Sequence, residues 1–322
     1  MQFRILWIFG AANTAFGARM YEKLGIVTNI WAKRMESGDS FEDLALKFGK
    51  NGFREMEVRD HNYLRNSKFG DMMREIEAAM EVYADEEWKA ICEALWRGTG
   101  LSELIKAHHK SLFDKVSEFV GKMSGLTLSF AASHVWLAEP DDLHADNARI
   151  IQAKKFAYLL CPHAARFRIV DVETDGEIDT KVAVANAKRY KSLLPSYPMV
   201  FALEHGRQSA TWTLELARHG GCPLIYDQAN TFRSDGTASN RQEDFWSTVR
   251  NEDLASVHIK QRTADGFSTQ IADGFVDFKS IAKHLTRLGY KGDLLIENTA
   301  TDQPLEDALV SREYLLKCEV DM

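Results

Sequence analysis

The sequence predicts an α/β fold, a (β/α)8 TIM barrel with a helical insertion, residues 61–124, between its second and third strands. Three observations carry that expectation. Four short apolar runs, at residues 199–203, 223–226, 254–257 and 294–296, read as strands buried on both faces, the kind found in parallel sheets. Patterns of helical length and period separate them, at residues 210–219, 242–249 and 278–288. Each run also stops on a residue that can bind a divalent metal: Glu204, Asp227, His258 and Glu297. In a parallel barrel such residues share the rim at the carboxyl ends of the strands, where barrel enzymes keep their chemistry.

The remaining elements follow in order. Residues 25–31 form a first strand, and Ser40 opens a helix through residue 48, with Glu42 and Asp43 in its first turn. Asn51 and Gly52 stop that helix. Residues 53–58 form strand two, where Arg54, Glu55 and Glu57 alternate with apolar positions. Strands three and four, at 126–131 and 167–172, are followed by helices over 143–160 and 181–194. The four runs above are strands five to eight, and a helix over 305–316 closes the ring. Between strands two and three the chain is too long for one crossover. Helical patterns at 72–84, 86–96, 101–107 and 112–123 fill it, broken at Gly98 and Gly100. Such a segment can serve as a lid, a contact in a homo-oligomer or a stabilising decoration.

Composition fits one catalytic domain over residues 20–322, since a chain of 322 residues that is 45% hydrophobic can bury a large core. A net charge of -7 leaves no basic footprint for nucleic acid or an anionic membrane, so a small molecule is the expected partner. Cys92, Cys161, Cys222 and Cys318 are isolated, which argues against a thiolate zinc site or a disulfide framework and for a reducing, cytoplasmic setting. Residues 1–19 stand apart. Arg4 before an apolar stretch, with Ala15 and Gly17 beyond it, reads as a secretory signal, an N-terminal arm, or sequence preceding a start at Met20.

Three carboxylates and one imidazole make a hard, oxygen-rich donor set. It suits one divalent ion, Mn²⁺ first, with Mg²⁺, Co²⁺ or Zn²⁺ as alternatives. Taken singly, each of the four also reads as a helix cap or a partner for Lys. Their recurrence on four successive units is what favours a metal site.

The stretch from Gly25 to Trp31, the pairs Leu203-Glu204 and Tyr226-Asp227, and the segments from Val257 to Lys260, Asp273 to Phe278 and Gly289 to Glu297 resemble the xylose isomerase-like TIM barrel superfamily. This group, also called the sugar phosphate isomerase/epimerase family, includes ketose 3-epimerases, inosose and dehydroshikimate dehydratases and the endonuclease IV type of repair enzyme. The order Glu, Asp, His, Glu on strands five to eight is specific to it but does not specify the reaction. The resemblance implies a metal that chelates a carbonyl and an adjacent hydroxyl, acidifies the C–H between them and holds the enediolate. It further implies Glu204 and Glu297 as base and acid, Asp227 and His258 as the remaining ligands, and Lys260 or Arg262 as a cationic partner for substrate oxygens.

Two positions depart from the family pattern. Asn230 stands where Asp-x-x-His is usual, and Gln261 follows Lys260 where Asp is usual. An amide takes up no proton at neutral pH, so Asn230 is expected to orient a substrate hydroxyl or carbonyl, and substrate or reaction to have diverged. His61, His134, Trp136, Glu173 and His205 are further rim candidates, with His134 beside Trp136 the favoured substrate pair, because sugars stack on aromatic faces. The expected function is a metal-dependent isomerase or epimerase of a sugar or related polyol ketone. The alternatives are a lyase or dehydratase of inosose, dehydroshikimate or 3-keto-glycoside type, and a binding barrel. Endonuclease chemistry needs more His ligands and a basic groove, which this chain lacks.

Overall fold

The computed structural model describes residues 20–132, 137, 143–161, 166–170, 179–206 and 208–320. Residues 1–19, His134, Trp136 and Glu173 lie outside the described residues. Eight parallel strands close a barrel in chain order. They are β1 (Leu24–Val27), β2 (Glu55–Arg59), β3 (Thr127–Ala132), β4 (Arg166–Val170), β5 (Val200–Glu204), β6 (Leu224–Asp227), β7 (Leu254–Ile259) and β8 (Asp293–Ile296). Closure is made at β1, where Gly25 pairs with Leu295 of β8 and Val27 with Glu57 of β2.

β1 is shorter than the sequence suggests. After Val27 the chain turns into a 3-10 helix, Thr28–Trp31. The Thr28 hydroxyl accepts from the Arg59 backbone N–H at 3.0 Å and pairs with the Tyr63 hydroxyl at 2.8 Å, which draws the residue out of the strand ladder. Trp31 then seats against Phe41 and Phe48, with ring centroids 5.5 and 5.3 Å away. The helix Phe41–Lys50 that carries these rings is capped as expected, Ser40 Oγ accepting from the Asp43 N–H at 3.1 Å.

Between β2 and β3 the chain runs through Asn62–Arg65, Lys68–Met80, Asp85–Arg97, Leu101–Leu104 and Lys110–Met123. These helices pack on the outer helices of the barrel. Phe69 stacks on Phe41 at 4.2 Å, while the indole N–H groups of Trp88 and Trp96 donate to the carbonyls of Lys155 and Leu159 on the helix Leu143–Leu160. No helix among the described residues is long and apolar enough to cross a membrane.

One glycine marks how closely the strands approach at closure. A Cβ on Gly25 would lie 2.3 Å from the Glu55 carbonyl oxygen and 2.5 Å from Leu295 Cδ2, and the first of these contacts is backbone that cannot rotate away. Gly25→Ala is expected to cost about 1–3 kcal/mol, the usual range for forcing a methyl into a filled core. Urea denaturation should show a lower midpoint at unchanged slope, and an unchanged midpoint would mean that the barrel has slack at this seam.

Candidate metal centre

The period of the strands decides what points into the barrel. Ser256, His258 and Lys260 alternate along one face of β7 and its continuation, and Glu55, Glu57 and Arg59 along one face of β2. Cross-strand register sets the levels: Asp227 pairs with His258, and His258 in turn with Leu295, two residues before Glu297. As a result Glu204, Asp227, His258 and Glu297 converge, each offering a ligand atom within 4.8 Å of the others, all four buried.

His258 is the hub of the cluster. Its Nδ1 lies 3.0 Å from Glu204 Oε1 and 3.1 Å from Glu297 Oε2, and its Nε2 faces Glu57 Oε1 at 3.3 Å. Burial works against a charged ring, but the carboxylates of Glu204, Glu57 and Glu297 outweigh it and hold the imidazole well above its usual range. Glu297 shows the converse. Burial would raise its carboxyl, yet Lys260, His258 and Arg59 pull it well below the ordinary carboxylate range. Arg59 reaches Glu297 Oε1 at 3.1 Å, and the Lys260 ammonium lies 2.8 Å from Glu297 Oε2 and 2.9 Å from Asp227 Oδ2.

The donor atoms fit a cation. Asp227 Oδ2 and Glu297 Oε2 are buried and form no directed hydrogen bond, although the Lys260 ammonium is close to both. The other Asp227 oxygen is held by the N–H of Ala229 at 2.9 Å and of Asn230 at 3.4 Å, so the carboxylate cannot swing away. A buried set of three carboxylates around an imidazole is the chemistry that divalent ions such as Mn²⁺, Mg²⁺ or Zn²⁺ take.

Above the cluster opens a cavity of about 720 Å³. Asn230, Lys260 and Arg262, which the sequence offers as substrate contacts, line it together with Arg59, Phe267 and Asn298. Asn230 Oδ1 lies 3.4 Å from Lys260 Nζ, and its Nδ2 donates to the His205 carbonyl at 3.2 Å. His205 is buried and sits beneath the rim, its Nε2 accepting from the Asp227 N–H at 3.0 Å. Burial holds that imidazole below its usual pKa, and the ring supports Asp227. His61 lines a separate cavity with Arg149 and Gln152. None of the helices between β2 and β3 contributes a lining residue to the 720 Å³ cavity.

Gln261 is buried and turned away from the cavity. Its amide donates to the carbonyls of Ala272 and Val276 and accepts from the N–H groups of Arg262 and Val276, at 2.9 and 3.0 Å. Gly274 allows that clamp, since a Cβ there would lie 2.5 Å from Gln261 Cδ and 2.8 Å from the Arg262 carbonyl oxygen. An Asp has no donor for those carbonyls, so the departure at this position has a structural reason. Sequence reasoning missed Glu57 and Arg59 as members of the site. The signal was present in three ionisable residues at every second position of one buried strand.

No family model matches the chain. Over 108 residues it is 27% identical to an inosose dehydratase of Bacillus licheniformis, a match covering 29% of this chain and 36% of that protein. The chain therefore matches only about a third of that curated relative's length. Solved structures align along almost its whole length. A xylose isomerase domain containing protein of Salmonella typhimurium shares 13% identity at a TM-score of 0.59, covering 95% of this chain and 98% of that one. The IolI protein with a bound zinc atom follows at 12% and 0.57, covering 93% and 97%. A xylose isomerase-like TIM barrel protein of Mycobacterium smegmatis in complex with magnesium aligns at 13% and 0.55, covering 95% and 99%. The fold is thus that of the xylose isomerase-like TIM barrels.

Because Nε2 of His258 faces Glu57, the other ring nitrogen is left to face the cluster. Glu57→Ala is expected to weaken Mn²⁺ binding by about 10–100-fold, the usual effect of losing a partner that orients a metal-bound His. Calorimetric titration measures it, with circular dichroism to show that the barrel persists. Parent affinity in a folded variant would leave Glu57 without that role.

Proposed function

We propose that this protein is a divalent-metal-dependent isomerase or epimerase of a sugar or related polyol ketone, working through an enediolate. The observation that carries the reading is the convergence of Glu204, Asp227, His258 and Glu297 within 4.8 Å beneath a polar cavity. Those four residues would hold the ion, and Mn²⁺ is the ion we favour for a donor set dominated by carboxylate oxygen. When bound, a divalent ion polarises a carbonyl oxygen and acidifies the neighbouring C–H.

The chain's own groups carry the proton. Glu204 and Glu297, whose carboxylates face the same imidazole nitrogen, can between them take it from the substrate carbon and return one. Lys260 is placed to donate to the oxygen on which charge develops, a contribution that grows in a site sheltered from water. Asn230 steadies Lys260 and offers the substrate an amide. The four cysteines are all free, which supports a reducing, cytoplasmic setting.

A second reading has one finding in its favour, the partial match to an inosose dehydratase. A dehydratase abstracts the same proton and then expels a hydroxyl beta to the acidified carbon. The two readings are separated by product.

Incubating the Mn²⁺-loaded protein with ketoses, inososes and 3-keto glycosides in deuterated water tests both, by following deuterium uptake and product together. With the substrate so found, Glu297→Gln is expected to slow exchange by about two orders of magnitude or more, the worth of a positioned acid or base. Exchange at the parent rate with metal still bound would rule out proton transfer by this carboxylate.

A further inference from the structure

Far from the cavity, the only Asn-Gly pair in the chain, Asn51 and Gly52, stands where the helix Phe41–Lys50 ends and the chain turns into β2. Both residues are exposed. The helix ending requires the glycine. Phe53 donates its N–H to the Phe48 carbonyl and Gly52 donates its own to the Gly49 carbonyl, each at 3.1 Å, and this pairing sets Gly52 in the left-handed region at φ +92°. The same residue leaves its own nitrogen unshielded, because no side chain stands between it and the Asn51 amide.

The fold thus brings a reactive pair to the surface and then restrains it. Closing a five-membered imide requires the Gly52 nitrogen to give up its proton and reach Asn51 Cγ, and four contacts oppose that movement. Gly52 N–H is engaged by the Gly49 carbonyl, Asn51 N–H donates to the Phe48 carbonyl at 3.0 Å, and Asn51 Nδ2 donates to the Lys47 carbonyl at 2.8 Å. These three are local. The fourth comes from the helix Pro304–Val320, where an Arg312 guanidinium N–H donates to the Asn51 carbonyl at 2.8 Å. Arg312 is itself braced, its guanidinium 4.8 Å from the centroid of the Phe53 ring.

We propose that Asn51 is a site of spontaneous modification, converted through a cyclic imide to aspartate and isoaspartate, and that Arg312 is the restraint that sets its rate in the folded protein. The Gly52 nitrogen bonds to Asn51 Cγ, the Cγ–Nδ2 bond breaks, and ammonia leaves with the proton that the Gly52 nitrogen gave up. Water then opens the imide at either carbonyl, so that one product is aspartate and the other carries the main chain through the former side chain. The second product lengthens the main chain by a methylene at a tight helix ending. That ending feeds directly into β2, the strand that carries Glu57 and Arg59.

Incubating the full-length protein at mildly alkaline pH, folded and in urea, with peptide mapping by mass spectrometry at intervals, tests it. The readouts are replacement of NH₂ by OH at Asn51 and a separately eluting isoaspartyl peptide. The folded parent is expected to convert about 10–100-fold more slowly than the unfolded chain, because the turn must open locally first. Arg312→Met should speed conversion of the folded protein by about tenfold, the scale of one hydrogen bond from a charged group, and leave the rate in urea unchanged. Arg312→Lys should fall between the two, with circular dichroism to show that each variant is folded. No conversion at Asn51 in the folded parent once the unfolded chain has converted, or equal rates in the two, overturns the proposal. Parent-like conversion in folded Arg312→Met overturns the part assigned to Arg312.

Discussion

Three carboxylates packed around one buried imidazole are the constraint on which the carboxyl-terminal end of this barrel depends. Like charges about 5 Å apart repel by roughly 3–4 kcal/mol per pair at the effective dielectric of a protein site. Three such pairs among Glu204, Asp227 and Glu297 rival the roughly 5–15 kcal/mol by which a domain is stable at all. Positive charge must therefore be built in beside them. Lys260 supplies it from just beyond β7, Arg59 from the end of β2, and His258 or a divalent ion from the centre. The residues that look like accessories are the condition for burying the acids.

That requirement extends into the loop after β7. Lys260 is useful only if the chain beyond it is held still, and Gln261 holds it by spending both ends of one amide on backbone groups of residues 262–276. The same clamp sets the ribbon on which Arg262 and Phe267 face the cavity. A carboxylate at position 261 would keep the acceptor half of the clamp and lose the donor half.

Solved structures that align over nearly the whole chain at 12–13% identity share its barrel, and the barrel alone says little about chemistry. The chemical argument rests on atoms: buried oxygens without directed hydrogen bonds and an imidazole with one nitrogen on each side of an acidic site.

Apolar runs, caps and helical periods are local properties, and they determined the order of strands and helices and the four strand-end residues Glu204, Asp227, His258 and Glu297. The helix Leu143–Leu160 matches the expected residues 143–160. Other features needed three dimensions. Thr28 leaves β1 for a contact with Arg59 and Tyr63, which lie 31 and 35 residues away. Glu57 reads as an ordinary acid on a strand until closure of the ring carries β2 across from β7 and sets its carboxylate against His258. Gln261 reads as a lost acid until the fold brings Ala272 and Val276 to its amide. Local patterning is written in neighbouring residues, whereas the partners of a buried charge or amide are chosen by closure of the barrel, which joins residues far apart in sequence.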